Sequence, residues 1–185
     1  MINKKILQQN KGFTLIEVLI AIFILITAVV VPLTIGSKAF AYSNFVRDQS
    51  AASYLAQEAI EFVRLARDNT SLGGGGWTDF KLLVGTCLAN PDDTNYEGCY
   101  FNAQEVSPSF AKCDLECPSL YQQADGTYIY DVSSNKAFVR SVEILIEGEG
   151  TPLERARVDV TVFWTTNGIT ERIFEVTDYL TPWQK

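Results

Sequence analysis

KGFTLIEVLIAIFILITAVVVP, residues 11–32, is the stretch that decides the fold of this chain. Residues 13–31 give 19 consecutive positions in which Glu17 is the only charge. A helix of that length spans about 28 Å, close to the ~30 Å thickness of the hydrocarbon core of a bilayer. The sequence therefore predicts a membrane-spanning helix that carries one carboxylate near its start.

The lysines around this apolar run predict its orientation. Lys4, Lys5 and Lys11 precede the run, and no basic residue lies inside it. Because basic residues stay on the cytoplasmic side, we expect a cytoplasmic N-terminus in the inner membrane, with everything after Pro32 outside. A cleaved secretory signal and a plain uncleaved anchor are the alternatives. The run is long for a secretory signal, and no small-x-small cleavage site follows it before the helical pattern resumes.

Glu17 is the residue that an ordinary membrane helix does not explain. An acidic side chain costs about 2.5–3.5 kcal/mol at the centre of an inserted helix and less near the interface. One explanation is that Glu17 lies about one turn into the run and reaches the headgroups. The other is that it pairs with a positive charge inside the membrane. A cut before Phe13 would create such a charge, an α-amino group four residues away.

The arrangement of Gly12, Phe13 and Glu17 resembles the N-terminus of type IV prepilins and type II secretion pseudopilins. In that family a short basic leader ends in glycine, the next residue is usually phenylalanine, and the fifth mature residue is glutamate; all three align here without a gap. The resemblance implies cleavage between Gly12 and Phe13 by a prepilin peptidase, N-methylation of Phe13, and filament assembly through Glu17 and Thr14. Glu17 of an incoming subunit would pair with the Phe13 amine of a neighbour.

The resemblance also implies a set of partners. The precursor would be a substrate of the prepilin peptidase and would lie in membrane lipid before assembly. An inner-membrane assembly platform would then add it to other pilin subunits, in a filament that is extracellular or periplasmic. The length, the hairpin-rich end and the cysteine insertion suggest a minor pilin, similar to those called PilV, over a major pilin or a secretion pseudopilin.

Composition limits the other classes of function. The 185 residues fit one domain plus an anchor, and the chain without its first 12 residues has 12 basic and 22 acidic side chains, a formal charge of -10. Nucleic-acid binding needs a basic face, so we expect none. Histidine is absent, which removes the commonest general base and zinc ligand. We therefore expect no enzyme activity, no catalytic residue, no cofactor and no metal.

The pattern along the chain predicts an α+β, pilin-like fold, with a long N-terminal helix packed on an antiparallel β-sheet. The expected parts are a leader (1–12), a transmembrane or filament-core helix (13–36), an amphipathic helix (37–69) and an antiparallel β head (70–185). Pro32 and Gly36 predict a kink or local melting, and a helix end at the membrane surface is the alternative. The resemblance favours a bent, continuous helix.

The amphipathic helix is predicted from an apolar stripe with a period of 3.6 residues. Its members are Leu55, Ala59, Phe62, Val63 and Ala66. We expect the helix to stop after Asn69, where SLGGGG follows. Gly73 to Gly76 lack the Lys-Ser or Lys-Thr pair of a phosphate-binding loop, so we interpret them as a flexible linker to the sheet.

Three β-prone runs follow, at residues 127–132, 138–148 and 156–180. In the second, Phe138, Val142, Ile144 and Ile146 are predicted to share one face. In the third, Val158, Val160, Val162 and Trp164 alternate with polar residues or phenylalanine. Asn167-Gly168 predicts a type I′ hairpin turn, and the adjacent Ile173 and Phe174 suggest a bulge in the return strand.

The four cysteines lie in a loop-rich insertion at about residues 85–126. Outside the cytoplasm an even number of cysteines predicts two disulfides, and we favour the sequential pairs Cys87–Cys99 and Cys113–Cys117 because their loops are short. A structural zinc site is the alternative, although paired C-x-x-C knuckles are missing. The aromatic residues around the insertion are interpreted as local packing over an adhesive surface. The second function to consider is a signal-anchored surface domain that binds a ligand through this insertion without polymerising.

Overall fold

The computed structural model describes residues 12–89, 98–103, 108–130, 138–166 and 170–183. The chain forms two compact units, one ending at Asn44 and the other running from Phe45 to Lys185. One long helix, α1 (Leu15–Leu72), begins in the first unit and ends in the second. The predicted leader lies outside the described residues except for Gly12.

Helix α1 is continuous through Pro32 and Gly36. The predicted local melting and the alternative of a helix end at the membrane surface are therefore wrong. Proline has no amide hydrogen, so the Ala28 carbonyl loses its usual helical donor, yet the helical conformation persists on both sides.

The C-terminal part of α1 carries the predicted apolar stripe. All five of its predicted residues are buried, and Ala52, Ala56 and Ile60 are buried beside them. Several of the buried positions are alanines, and they share one hydrophobic cluster with the buried residues of the sheet. This face of α1 is one wall of the core of the second unit.

Helix α1 ends three residues later than predicted, at Leu72. Gly74 adopts a φ of 86°, the left-handed conformation that glycine supplies at helix ends. The prediction of a flexible linker is wrong, because a second helix, α2 (Gly76–Leu83), begins within the glycine run. Its Phe80 is fully buried and its Trp77 ring lies 5.0 Å from the Phe80 ring, so burial outweighs the poor helix propensity of glycine.

The rest of the second unit is an antiparallel sheet, as predicted. After a 3₁₀ turn (Gly85–Cys87), its strands are β1 (Cys99–Tyr100), β2 (Ala111–Lys112), β3 (Ser119–Gln122), β4 (Tyr128–Tyr130), β5 (Phe138–Glu147), β6 (Arg155–Thr166) and β7 (Thr170–Leu180). Strand β5 is central: β6 pairs along its whole length on one side, whereas β3 and β1 share the other side. Strand β7 pairs with β6, and β2 and β4 pair with β1 and β3.

The inner face of the sheet is the predicted one. Val158, Val160, Val162 and Trp164 are buried, as are Phe138, Val142 and Ile144, and Ile146 packs against the core while partly exposed. The predicted bulge is wrong, because β6 and β7 pair without interruption from Ala156–Leu180 to Thr166–Thr170. Phe174 packs on the core and Ile173 faces outward. The predicted turn at Asn167-Gly168 lies outside the described residues.

The cysteine insertion contains two disulfides, Cys87–Cys99 and Cys113–Cys117, which is the sequential connectivity. The zinc alternative is wrong, since all four sulfurs are used in these bonds. The Cys87–Cys99 bond joins the 3₁₀ turn to β1, and both cysteines are fully buried. The predicted α+β fold, a long helix followed by an antiparallel sheet, is confirmed.

Candidate functional site

The candidate site is the beginning of α1, where the processing and assembly residues of the sequence analysis lie together. Gly12, Phe13 and Thr14 precede the first helical residue, Leu15. The Glu17 amide donates to Thr14 Oγ1 at 3.3 Å, and the Val18 amide donates to the Thr14 carbonyl at 3.2 Å. Thr14 is thus the N-cap of the helix, a role that threonine fills because its hydroxyl accepts from an otherwise unpaired amide.

Glu17 occupies the third helical position after this cap. The spacing Thr14-x-x-Glu17 is that of a capping box, and a carboxylate in the first turn is favoured by the helix dipole. Within the part of the chain that the structure describes, the Glu17 carboxylate makes no hydrogen bond or ion pair. Of the two hydrogen bonds of a capping box, the one from the Glu17 amide to the Thr14 hydroxyl is therefore present. The Glu17 side chain is exposed to the surroundings of the helix.

Gly12 and Phe13 are both exposed at the cleavage position. A Cβ placed on Gly12 would meet nothing within 4 Å, and its φ is not in the left-handed region. The fold therefore does not require glycine at this position. The Phe13 side chain is 80% exposed, so it has no place in the core either.

The apolar half of α1 is uncovered along its length. The large side chains from Leu15 to Ile35 are all exposed. Thr27 Oγ1 bonds the Phe23 carbonyl at 3.0 Å and Thr34 Oγ1 bonds the Val31 carbonyl at 2.8 Å, so these hydroxyls are paired without water. Among the described residues, α1 is the one helix long and apolar enough to cross a membrane.

The segment that holds the helix cap, the exposed Gly-Phe junction and the uncovered apolar helix also matches a known sequence family. Residues 7–31 fit the family described as "Prokaryotic N-terminal methylation motif". The chain carries this methylation motif. The motif is consistent with the type IV pilin and pseudopilin family, and it supports a pilin-like precursor that a prepilin peptidase processes. No curated protein and no solved structure matches the chain.

This result agrees with the resemblance given by Gly12, Phe13 and Glu17. The motif and the apolar helix together indicate a single-pass membrane-anchored protein. The cysteines lie elsewhere, in the second unit, and form the two disulfides described above.

Sequence reasoning missed a buried arginine in the second unit. Arg140 on β5 is only 1% exposed; its guanidinium donates to the Leu55 carbonyl of α1 at 3.1 Å, to Glu58 and to the Tyr130 hydroxyl at 3.2 Å. It also lies 4.0 Å from the centroid of the Phe101 ring. Burial raises the pKa of the Tyr130 phenol, and the nearby Arg140 charge opposes that rise.

The aromatic residues of the insertion mostly pack within the head. Phe101 is buried and stacks on Phe62 of α1 with ring centroids 4.1 Å apart, and Tyr100 meets Tyr130 edge to face at 5.4 Å. These contacts agree with the interpretation as local packing. Tyr96 lies outside the described residues.

Proposed function

We propose that this chain is a subunit of a type IV pilus or pseudopilus, made as a precursor and assembled into a filament through α1. The observation that carries the proposal is the methylation motif at the start of a helix whose apolar half has no partner within its own chain among the described residues. Lipid covers such a surface before assembly, and neighbouring helices cover it afterwards.

Gly12 supports the processing step. Glycine is the residue that lets a backbone enter a narrow active site in an extended form, and here the fold gives no other reason for it. The cut would leave Phe13 as the first residue, with a free α-amino group four residues from Glu17. The peptidase acts on this chain, and we propose no enzyme activity for the chain itself.

Glu17 supports the assembly step. Its carboxylate has no partner among the described residues, so a membrane-buried Glu17 carries an uncompensated cost. The methylated amine of Phe13 on an adjacent subunit would remove that cost, and the low dielectric would strengthen the pair. Because the partner exists only in the filament, Glu17 favours assembly over the lone membrane state.

We further propose a minor subunit, with the N-terminus cytoplasmic before assembly and the head outside. The lysines before the apolar run support the orientation, and two disulfides in the head suit an oxidising compartment. The minor role rests on the length of the chain and on its cysteine insertion. Counting this subunit against the main subunit in purified filaments tests it: parity would overturn the minor role.

The deciding experiment is mass spectrometry of the mature N-terminus, followed by substitutions at Gly12 and Glu17 with a control at Gly36. We expect a chain that starts at methylated Phe13, and Gly12→Leu should leave the precursor uncut, whereas Gly36→Ala should be cut normally. Glu17→Leu should keep its level in the membrane but lose incorporation into filaments, and Glu17→Gln should show whether the charge or the polar group matters. A chain that retains Met1, or one cut after residue 31, would support the non-polymerising surface domain instead.

A further inference from the structure

A groove in the second unit lies far along the chain from the processing segment and has a chemistry of its own. Its volume is about 850 Å³, within the range of small binding sites. It lies between the C-terminal part of α1, the turn that joins β5 to β6, and the residues after β7. Its lining includes Arg67, Pro152, Leu153, Arg155, Pro182 and Trp183.

The groove has an aromatic wall that is held in place. Trp183 Nε1 donates to Asp68 Oδ1 at 3.2 Å, and the same oxygen accepts from Arg67 Nε at 2.8 Å. The indole ring remains 52% exposed, and Leu153 at the β5–β6 turn is exposed as well. Because the polar atom of Trp183 is already paired, the exposed ring offers an apolar surface at little cost in ordering.

Two arginines that line the groove have hydrogen-bond donors without a partner among the described residues. Arg67 and Arg155 each bind one carboxylate through Nε and Nη2, namely Asp68 and Glu147. Within the residues that the structure describes, Nη1 of each guanidinium makes no hydrogen bond. Each ion-paired guanidinium therefore keeps N–H donors that a further acceptor in the groove could use.

The carboxylates that line the same groove are already occupied. Glu154 accepts from Trp77 Nε1 at 2.8 Å, from Lys81 Nζ at 2.9 Å and from the Gly150 amide at 3.2 Å. Glu147 accepts from both Arg155 and Arg157. The groove is consequently suited to a ligand that combines a carboxylate with an apolar side chain.

The chain itself displays such a ligand on its loop Cys113–Cys117. The disulfide closes the loop, and the Cys113 amide donates to the Gly98 carbonyl at 3.0 Å, so the loop is anchored. At its tip Leu115 is 86% exposed, next to the exposed carboxylate of Asp114. A closed loop loses little conformational freedom on binding, which favours affinity from a small contact.

We propose that the Trp183 groove binds the Asp114–Leu115 loop of a second copy of this chain. Leu115 would pack on the Trp183 ring between Leu153 and the prolines, and the Asp114 carboxylate would accept from Arg67 or Arg155. The loop follows β2 and the groove lies beside the end of β7, at the other side of the sheet. The contact therefore joins two different surfaces, as in a head-to-tail assembly. Because a minor subunit has few copies of itself beside it in a filament, we place this contact between two anchored copies that are neighbours in the membrane before assembly. In this respect the inference rests on the proposed function.

Fluorine NMR on the full-length chain in detergent, with fluorotryptophan at its three tryptophans, tests the groove. The probe is the peptide of residues 112–118 closed by its disulfide. We expect a saturable shift of the Trp183 signal alone, with about tenfold weaker binding for the peptides Leu115→Ser and Asp114→Asn. Arg67→Gln and Arg155→Gln should each weaken binding, whereas Arg47→Gln, at an exposed position on α1, should not. No shift of Trp183, or equal shifts with the altered peptides, would overturn the proposal.

Photo-crosslinking in cells tests the second copy. A photoreactive phenylalanine at position 115 should form an adduct with the segment 152–155 or with Trp183 of another copy, and the same group at the exposed Leu82 should not. Adducts only with other proteins would contradict a second copy as occupant. The NMR experiment needs neither cleavage nor a filament, and the N-terminal mass is measured on the same preparation. A failure of the proposed function is therefore distinguishable from a failure of this inference.

Discussion

Arg140 connects the sheet of the head to α1 through one buried guanidinium. It donates hydrogen bonds to the Leu55 carbonyl, the Glu58 carboxylate and the Tyr130 hydroxyl. Its guanidinium carbon lies 4.0 Å from the centroid of the Phe101 ring. Its Nε is buried without a partner in the described part of the chain. The guanidinium is therefore incompletely satisfied, and removing it takes one hydrogen-bond donor from the partly buried Tyr130 hydroxyl.

We expect Arg140→Ala to lower the free energy of unfolding of the head by about 3 kcal/mol, because it removes these bonds and leaves a cavity. Glu58 limits the loss, since at 46% exposure it regains water. Arg140→Lys keeps the charge without the planar fork and should cost about 1 kcal/mol. Urea unfolding of the mature chain in detergent measures both.

The control is Arg47→Ala, which removes an exposed arginine on the same helix as Glu58 and should change stability by less than about 0.5 kcal/mol. Equal effects at positions 47 and 140 would contradict the proposed connection.

Glu154 makes the stability of the head depend on pH. Hydrogen bonds from Lys81 and then Trp77 lower the pKa of Glu154 below its ordinary value of 4.5. A carboxyl whose pKa is lower in the folded state stabilises the fold above its unfolded pKa, and this contribution is lost as pH falls through the folded value. Hydrogen bonds to Glu154 and then Glu149 raise the pKa of Lys81, whose contribution to stability is lost only in strong alkali.

We therefore expect Glu154→Gln to destabilise the head by about 1 kcal/mol at neutral pH, since an amide accepts weaker hydrogen bonds. The difference from the natural chain should shrink as pH falls below about 4.5, where the natural Glu154 also becomes neutral. Thermal unfolding at a series of pH values measures it. Glu171→Gln, at an exposed position on β7, serves as control. A difference that is constant from pH 7 to pH 3 would exclude this origin.

Among individual residues, the sequence predicted those whose role depends only on their local spacing in the chain. Gly12, Phe13 and Glu17 were recognisable because their spacing is local and needs no tertiary structure. Arg140 was not, although it lies between Phe138 and Val142 on the same, inner face of β5. A charged residue at such a position is ordinarily assigned outward, and only the fold shows that Glu58 and Tyr130 are near enough to pair with it.

At the scale of elements, periodicity predicted α1 and the long strands because each buries one regular face. Helix α2 was not predicted, since Gly75 and Gly76 suggest a break and its stability comes from burying Phe80. The short strands of the insertion were not predicted either. Strands of two to four residues, such as β1 and β3, are too short for an alternating pattern and exist because β5 offers them an edge.

The two disulfides should contribute unequally to these elements. Closing the loop between Cys87 and Cys99 removes more freedom from the unfolded chain than closing the five-residue loop of Cys113 and Cys117. We expect the double variant Cys87→Ala with Cys99→Ala to lose about 3 kcal/mol, and the double variant at positions 113 and 117 about 2 kcal/mol. Chemical unfolding of each variant under oxidising conditions measures the losses. A larger loss for the second pair would contradict the loop-length argument.

At the scale of the whole molecule, the two units differ in what stabilises them. The buried residues begin at Ala52 and continue through the sheet, whereas the large apolar residues from Phe13 to Ile35 are exposed. The described head thus draws its hydrophobic stabilisation from its own residues. In the proposed function, lipid or other subunits would stabilise the apolar half of α1, which hydropathy alone was enough to predict.

A chain of residues 42–185 should therefore fold without the anchor. It keeps Phe45, which packs against the core and lies near the Arg172 guanidinium, and it retains the helical residues 42–51 before the first buried residue, Ala52. Exported to an oxidising compartment, it should remain soluble without detergent and form both disulfides. Its free energy of unfolding should lie within about 0.5 kcal/mol of that of the head in the full mature chain, because deleting exposed side chains removes no buried contact. Circular dichroism during urea unfolding compares the two, with Val63→Ala as a variant that must destabilise both equally. A truncated head that unfolds at clearly lower urea, or that aggregates, would show that the anchor contributes to the core.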